Sequence, residues 1–208
     1  EICACLVGSE MCIRDRRILF VGRNFVRKGG PLVVQAFTIL RKKYLWSAEL
    51  YLAGAKESDI RDALRERQIR VEEVDWQKIH LLGDLGSEKL TDYYNLCDVF
   101  CMPSYFEAYG LVFAEALTYG LPCIGRDKFA MSEFIEDGCT GRLISGEDAE
   151  ELALDLWEVL QDPKYREEVE RRREWYLREY SWDKVAQRIC SVMEKNERDK
   201  DQYRSAGV

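Results

Sequence analysis

The chain has 208 residues, 47% of them hydrophobic, and a formal net charge of −7. That length and apolar content suffice for one domain with a sizeable core and exclude a disordered chain, while the acidic balance leaves no footprint for nucleic acid. No uninterrupted apolar stretch is long enough to span a membrane.

Residues 1 to 15 read as foreign. Within them LVGSEMCIRD, Leu6 to Asp15, back-translates to a sequence resembling the transposase adapter used to prepare sequencing libraries, so the segment is set aside as a cloning or assembly scar. It carries Glu1, Glu10 and Asp15 against Arg14, a charge of −2, which leaves −5 for the rest of the chain. It also holds Cys3, Cys5 and Cys12, and the cysteines at 97, 101, 123, 139 and 190 form no CxxC pair. Several of these lie in apolar strands, where cysteine acts as a small hydrophobe, so a reduced cytoplasmic compartment is expected rather than a disulfide framework.

From residue 16 onward the pattern alternates between strand and helix. A strand over 18–22 (ILFVG) leads into the loop RNFVRKGG, and Pro31 opens a helix over 31–44 as its first residue. This βα turn is neither a GxGxxG fingerprint nor a Walker A loop, because the glycine spacing is wrong and no Gly-Lys-Ser/Thr occurs. Arg23 and Lys28 can still offer cations to a diphosphate whose other oxygens face helix-end amides; taken alone, they fit solvated loop charges equally well. A strand over 49–53, a charged helix over 57–68, a strand over 79–82 and a helix over 87–95 follow. His80, the only histidine, falls in IHLLG and reads as a satisfied strand residue, with no Cys or Ser nucleophile marked beside it.

The next stretch carries the most information. DVFCMPS predicts a buried strand over 98–102, and the spacing from Gly110 to Gly120 and Pro122 predicts a helix over 110–119. Glu107 then falls in the loop at the strand's carboxyl end, where ligands collect in open α/β sheets, and Gly110 lets an anionic ligand approach free backbone amides. Between Leu111 and Leu117 only Glu115 is not apolar. It is therefore expected to be a buried carboxylate with a partner, since unpaired burial costs roughly several kcal/mol. Either glutamate alone fits a structural reading; the pair, in strand, loop and helix order, points to a site.

A strand near 122–125 and an edge strand near 142–144 complete a pattern that predicts an α/β fold with a doubly wound parallel sheet. Beyond Gly146 the chain reads as helical over 147–161, 163–178 and 181–195, with Pro163 and Ser181 as break or cap signals, before a charged tail over 197–208. The run EEVERRREWYLREY reads as a salt-laced amphipathic helix. Asp199 and Asp201 in the tail read as solvated, and no metal cluster stands out in the sequence.

These segments resemble the large retaining glycosyltransferase family 4. EAYGLVFAE is similar to that family's motif of two glutamates separated by seven residues, which lies in the carboxy-terminal, donor-binding domain of the two-Rossmann-domain GT-B fold. VGRNFVRKGG resembles the first strand and phosphate loop, EFIEDGCTGRLI the glutamate loop and closing edge strand, and YSWDKVAQRI the final helix. The resemblance runs from about Ile18 to Glu194.

The resemblance implies a Rossmann-like half of a GT-B fold over 16–146, with the additional C-terminal helices of 147–196 packing on it. The implied reaction moves a sugar from a nucleoside diphosphate sugar to a hydroxyl acceptor with retained configuration. Glu107 would lie near the donor sugar, Glu115 would hold the ribose hydroxyls, and Arg23 and Lys28 would contact the diphosphate. Glu107, Arg23 and Lys28 are thus the expected catalytic group, and Gly110, Leu111 and Glu115 join them in donor binding. No metal and no cofactor is implied. The expected partners are the nucleoside diphosphate sugar and an N-terminal acceptor domain missing from this chain, so the half alone is expected to be inactive in transfer. A cytoplasmic location follows, with any membrane contact peripheral. Two departures stand out: Ala108 replaces a usual glycine, and Phe129 and Ala130 replace a glycine pair, so Glu133 is left outside the site. The competing readings are a sugar-nucleotide epimerase of the same fold, against which the paired glutamates argue, and a non-catalytic nucleotide-binding module.

Overall fold

The computed structural model describes the backbone of residues 16–205 and the side chains of residues 16–193. Residues 1–15, expected above to be an adapter scar, and the side chains of Asp199 and Asp201 lie outside the described residues.

Short apolar runs form the strands: β1 Arg17–Val21, β2 Glu49–Ala53, β3 Ile79–Gly83, β4 Val99–Cys101, β5 Cys123–Arg126 and β6 Gly141–Ile144. Ile18, Leu19, Phe20, Val99, Phe100 and Cys101 are completely buried, as strands are when helices cover both faces of a parallel sheet. All neighbours pair in parallel, in the order β3-β2-β1-β4-β5-β6. The chain therefore builds outward from β1 in one direction, returns, and starts again at β4, where Leu19 pairs with Phe100. The crevice beyond the carboxyl ends of β1 and β4 is the topological switch point of this Rossmann-like sheet.

The helices are α1 Gly30–Lys43, α2 Glu57–Glu66, α3 Ser87–Leu96, α4 Leu111–Thr118, α5 Met131–Phe134, α6 Ala149–Gln161, α7 Lys164–Glu179 and α8 Trp182–Ser205. Val33, Ala36, Phe37 and Leu40 are buried along one stripe of α1, at the spacing that aims a helix face at the core, and α1 packs on α2 and α6. α4 packs against α7 and β5. Phe20, Phe37, Phe100 and Phe113 are completely buried, and each such side chain contributes about 1.5–3 kcal/mol by leaving water.

Three local features differ from the sequence expectation. The four residues of α5 are too few to show a helical period. Two 3₁₀ turns, Val71–Glu73 and Trp76–Lys78, fill the connection into β3. α8 continues past residue 196 to Ser205, because no Gly or Pro interrupts it and the Glu, Arg, Lys and Gln of that stretch are themselves good helix formers. His80 stacks on Tyr51 at 4.4 Å within the sheet, and α7 buries Tyr165, Val169 and Tyr176 while Arg171 and Arg172 bond Glu168. Among the described residues no helix is long and apolar enough to cross a membrane.

Candidate functional site

Beyond β1 the chain folds back on itself before α1. The Asn24 side-chain carbonyl accepts from Arg27 N at 3.0 Å, Lys28 N donates to Asn24 O at 3.0 Å, and the buried Phe25 packs edge-on against Phe20. This turn lays the Lys28 stem over bare backbone: a Cβ at Gly22 would sit 2.8 Å from Lys28 Cγ. Gly29 has φ 80°, and a Cβ there would lie 2.3 Å from Pro103 O. Only glycine lets the start of α1 close on the end of β4.

The loop after β4 is stitched to the loop after β1. Tyr105 N donates to Arg27 O at 2.9 Å, Arg27 Nη1 donates to Phe106 O at 2.6 Å, and Ser104 Oγ donates to the same carbonyl at 2.9 Å. Across that seam Lys28 and Glu107 form an ion pair, with side chains only 15% and 13% exposed. Gly110 has φ 83° and precedes α4, and a Cβ on it would lie 3.2 Å from Glu107 Cγ. The first turn of α4 has neither an acidic residue nor a side-chain cap. Its N–H groups, with the positive end of the helix dipole, are therefore uncommitted to side chains beside the Lys28–Glu107 pair.

Glu115 departs from expectation. Its side chain is exposed, not buried, because α4 turns Phe113, Ala114, Ala116 and Leu117 inward and leaves Leu111 and Glu115 on the outer face one helical turn apart. The carboxylate accepts a hydrogen bond from Tyr94 Oη at 2.9 Å. Burial, then the Glu115 charge, pushes the Tyr94 hydroxyl far above the usual phenol range, so it stays a donor. Glu115 and the half-exposed Leu111 border a groove of about 590 Å³ that Tyr109, Tyr176, Tyr180 and Trp182 also line.

The structure thus brings Lys28, Glu107, Gly110 and Leu111 together and sets Glu115 further along α4. It does not bring Arg23 to them. Arg23 projects into solvent and bonds Asp84 through Nε at 3.0 Å and Nη2 at 3.1 Å, and an ion pair this exposed holds it only weakly. Other residues escaped the sequence reading. The Arg126 guanidinium, at the end of β5 and 4% exposed, donates to Gly146 O at 2.8 Å and lies 4.7 Å over the Tyr105 ring. Tyr105 Oη in turn donates to Glu147 at 2.8 Å. This braces the loop that carries Glu107. Neither Arg126 nor Tyr94 sits in a motif, and Asp127 next to Arg126 in sequence already suggests a local ion pair, so nothing in the sequence set either residue apart. Among the described residues no group of three or more His, Cys, Asp or Glu could hold a metal ion.

Comparison with known proteins places residues 14–175 within the family described as glycosyl transferases group 1. The chain is 28% identical over 181 residues to an uncharacterised glycosyltransferase of Methanocaldococcus jannaschii, covering 86% of this chain and 44% of the relative. It is 28% identical over 178 residues to the D-inositol 3-phosphate glycosyltransferase of Paenarthrobacter aurescens, covering 81% and 41%. Its fold matches the Anabaena protein Alr3699/HepE, solved in complex with UDP and glucose, with a TM-score of 0.73 at 18% identity over 86% of this chain and 48% of that one. The chain spans less than half the length of these curated relatives.

Proposed function

Because the chain belongs to the glycosyl transferases group 1 family, we propose that it is the donor-binding half of an enzyme that transfers a sugar from a nucleoside diphosphate carrier to a hydroxyl acceptor with retained configuration. The observation that carries this reading is the nearly buried Lys28–Glu107 pair beside the uncapped start of α4, at the switch point of the sheet. A diphosphate has the charge and the acceptor oxygens that Lys28 and the amides near Gly110 and Leu111 can satisfy.

In this reading Lys28 and those amides stabilise the diphosphate as it departs, which is where negative charge grows in the transition state. Arg23 leaves Asp84 to join them when the donor binds. Glu107 faces the sugar, and Glu115, steadied by Tyr94, takes the ribose hydroxyls. The reaction needs no metal among these roles. The acceptor side of the cleft belongs to a second domain, in keeping with relatives about twice as long, so the 208 residues alone bind nucleotide without transferring sugar. The experiment is to assay the complete gene product for acceptor-dependent release of nucleoside diphosphate and to read the product's anomeric configuration by NMR. An altered nucleotide sugar formed without acceptor would refute transfer in favour of epimerisation, and an inverted product would refute retention.

A further inference from the structure

Among the described residues two that are not glycine have positive φ, Gln68 and Phe129, both at 58°. Gln68 has a structural reason: it ends α2, where Ile69 N bonds Leu64 O at 2.9 Å and a left-handed residue closes the helix. Phe129 closes no helix. It precedes α5, its ring is 50% exposed, and a bulky residue held left-handed is strained where glycine would not be. Its one aromatic partner, Phe106, lies edge-on at 5.1 Å and is itself 51% exposed. Its carbonyl accepts from Ser132 Oγ at 3.2 Å in the turn that enters α5, but that backbone bond is open to glycine as well and calls for no exposed aromatic ring. A strained bulky residue that the turn does not require is a pointer to function. The location agrees, because Phe106 adjoins Glu107 in sequence and Ala130 N lies 3.5 Å from Glu107 O.

We propose that Phe129, braced by Phe106, is the aromatic wall against which the sugar of the donor packs, and that it selects a neutral hexose. This rests on the donor-site reading above. With the diphosphate on Lys28 and the start of α4, the attached sugar meets the Glu107 carboxylate on one side and these two rings on another. A hexose offers hydroxyls to the carboxylate and the C–H groups of its ring face to the phenyl rings. A uronic acid would instead bring a second carboxylate towards Glu107 and lose its hydration against the rings, so it is rejected.

The test is titration of the whole 208-residue chain, and of Phe129→Gly and Phe129→Leu, with UDP, GDP and ADP, then with the glucose and glucuronate conjugates of whichever binds best, alongside thermal melting. The unchanged chain should prefer the glucose conjugate over the bare diphosphate by about threefold to tenfold, the size of an aromatic contact, and should discriminate against glucuronate. Both variants should lose that preference while keeping diphosphate affinity, and Phe129→Gly should melt higher because the strain is relieved. An unchanged chain without the preference, or variants that retain it, would overturn the proposal. So would a parallel loss of diphosphate binding and melting temperature in both variants, which is the mark of a packing residue. If no nucleoside diphosphate binds the unchanged chain, the donor-site reading itself falls and takes this inference with it.

Discussion

Lys28 and Glu107 stand 79 residues apart in sequence, yet their charged ends meet across the seam between the loops that follow β1 and β4. A diphosphate arriving there competes with Glu107 for the same ammonium. Glu107→Gln should therefore tighten nucleoside diphosphate binding, while Lys28→Met should weaken it about tenfold to a hundredfold, as expected for loss of a charged hydrogen bond. Calorimetric titration of both variants reads this directly, and weaker binding by Glu107→Gln would contradict it. In the complete enzyme the same Glu107→Gln change should chiefly lower kcat, whereas Glu115→Gln should chiefly raise KM, since ribose is held alike before and during reaction.

Tyr94→Phe removes the donor that orients Glu115. The expected cost in stability is about 0.5–1.5 kcal/mol. Affinity for a nucleoside diphosphate should fall while affinity for inorganic pyrophosphate, which has no ribose, stays unchanged. Equal losses for both ligands would separate Glu115 from the ribose.

Phe113 is completely buried and packs edge-on against Phe100 at 5.2 Å. Phe113→Ala should destabilise the chain by about 3–5 kcal/mol, through lost transfer energy and the cavity left behind. Denaturant titration should move the midpoint without changing the slope. A loss under 1 kcal/mol, roughly the scale of a surface change, would mean that α4 is not anchored through this residue.

Glu49, at the start of β2, reports on acid stability. Burial alone would raise its carboxyl, but bonds from Lys78 Nζ at 2.9 Å and Tyr51 Oη at 3.0 Å prevail and hold it below the usual range. The folded state then binds this proton less readily than the unfolded state. Its stabilisation is complete above the ordinary value near 4.5 and is lost as pH falls through the lowered one. Melting curves between pH 6 and pH 3, roughly the window these values define, should decline less steeply in Glu49→Gln than in the unchanged chain. Parallel curves would exclude Glu49 as a contributor.

Much of the fold was legible because its strands are continuous apolar runs and its helix ends carry Gly and Pro, as at Pro31, Gly120 and Pro163. α5 was not, since four residues cannot display a period. The candidate site was legible in part. Gly110 marked one close approach, and Lys28 and Glu107 lay in the loops that flank the switch point, whereas the packing of Gly29 on Pro103 had no local signal beyond the glycine pair before Pro31. The burial of Glu115 was misjudged because a run of apolar neighbours does not reveal which side of a short helix faces the core. Here Leu111 and Glu115 share the outer face. Arg23 was grouped with Lys28 because the two share one βα loop and the resemblance assigns both to the diphosphate, whereas Asp84, from a loop 61 residues away, holds it in the structure. Such long-range partners, like Tyr94 for Glu115 and Arg126 for Tyr105, leave no local pattern to read.

The most direct measurement of the account is a crystal structure of the chain grown with a nucleoside diphosphate. The diphosphate should lie within hydrogen-bond reach of Lys28 Nζ and the backbone amides at the start of α4, with the ribose hydroxyls on the Glu115 carboxylate. A diphosphate seated instead in the cavity of about 410 Å³ bordered by Arg16, Asp98 and Arg166 would contradict it, as would a chain that binds none.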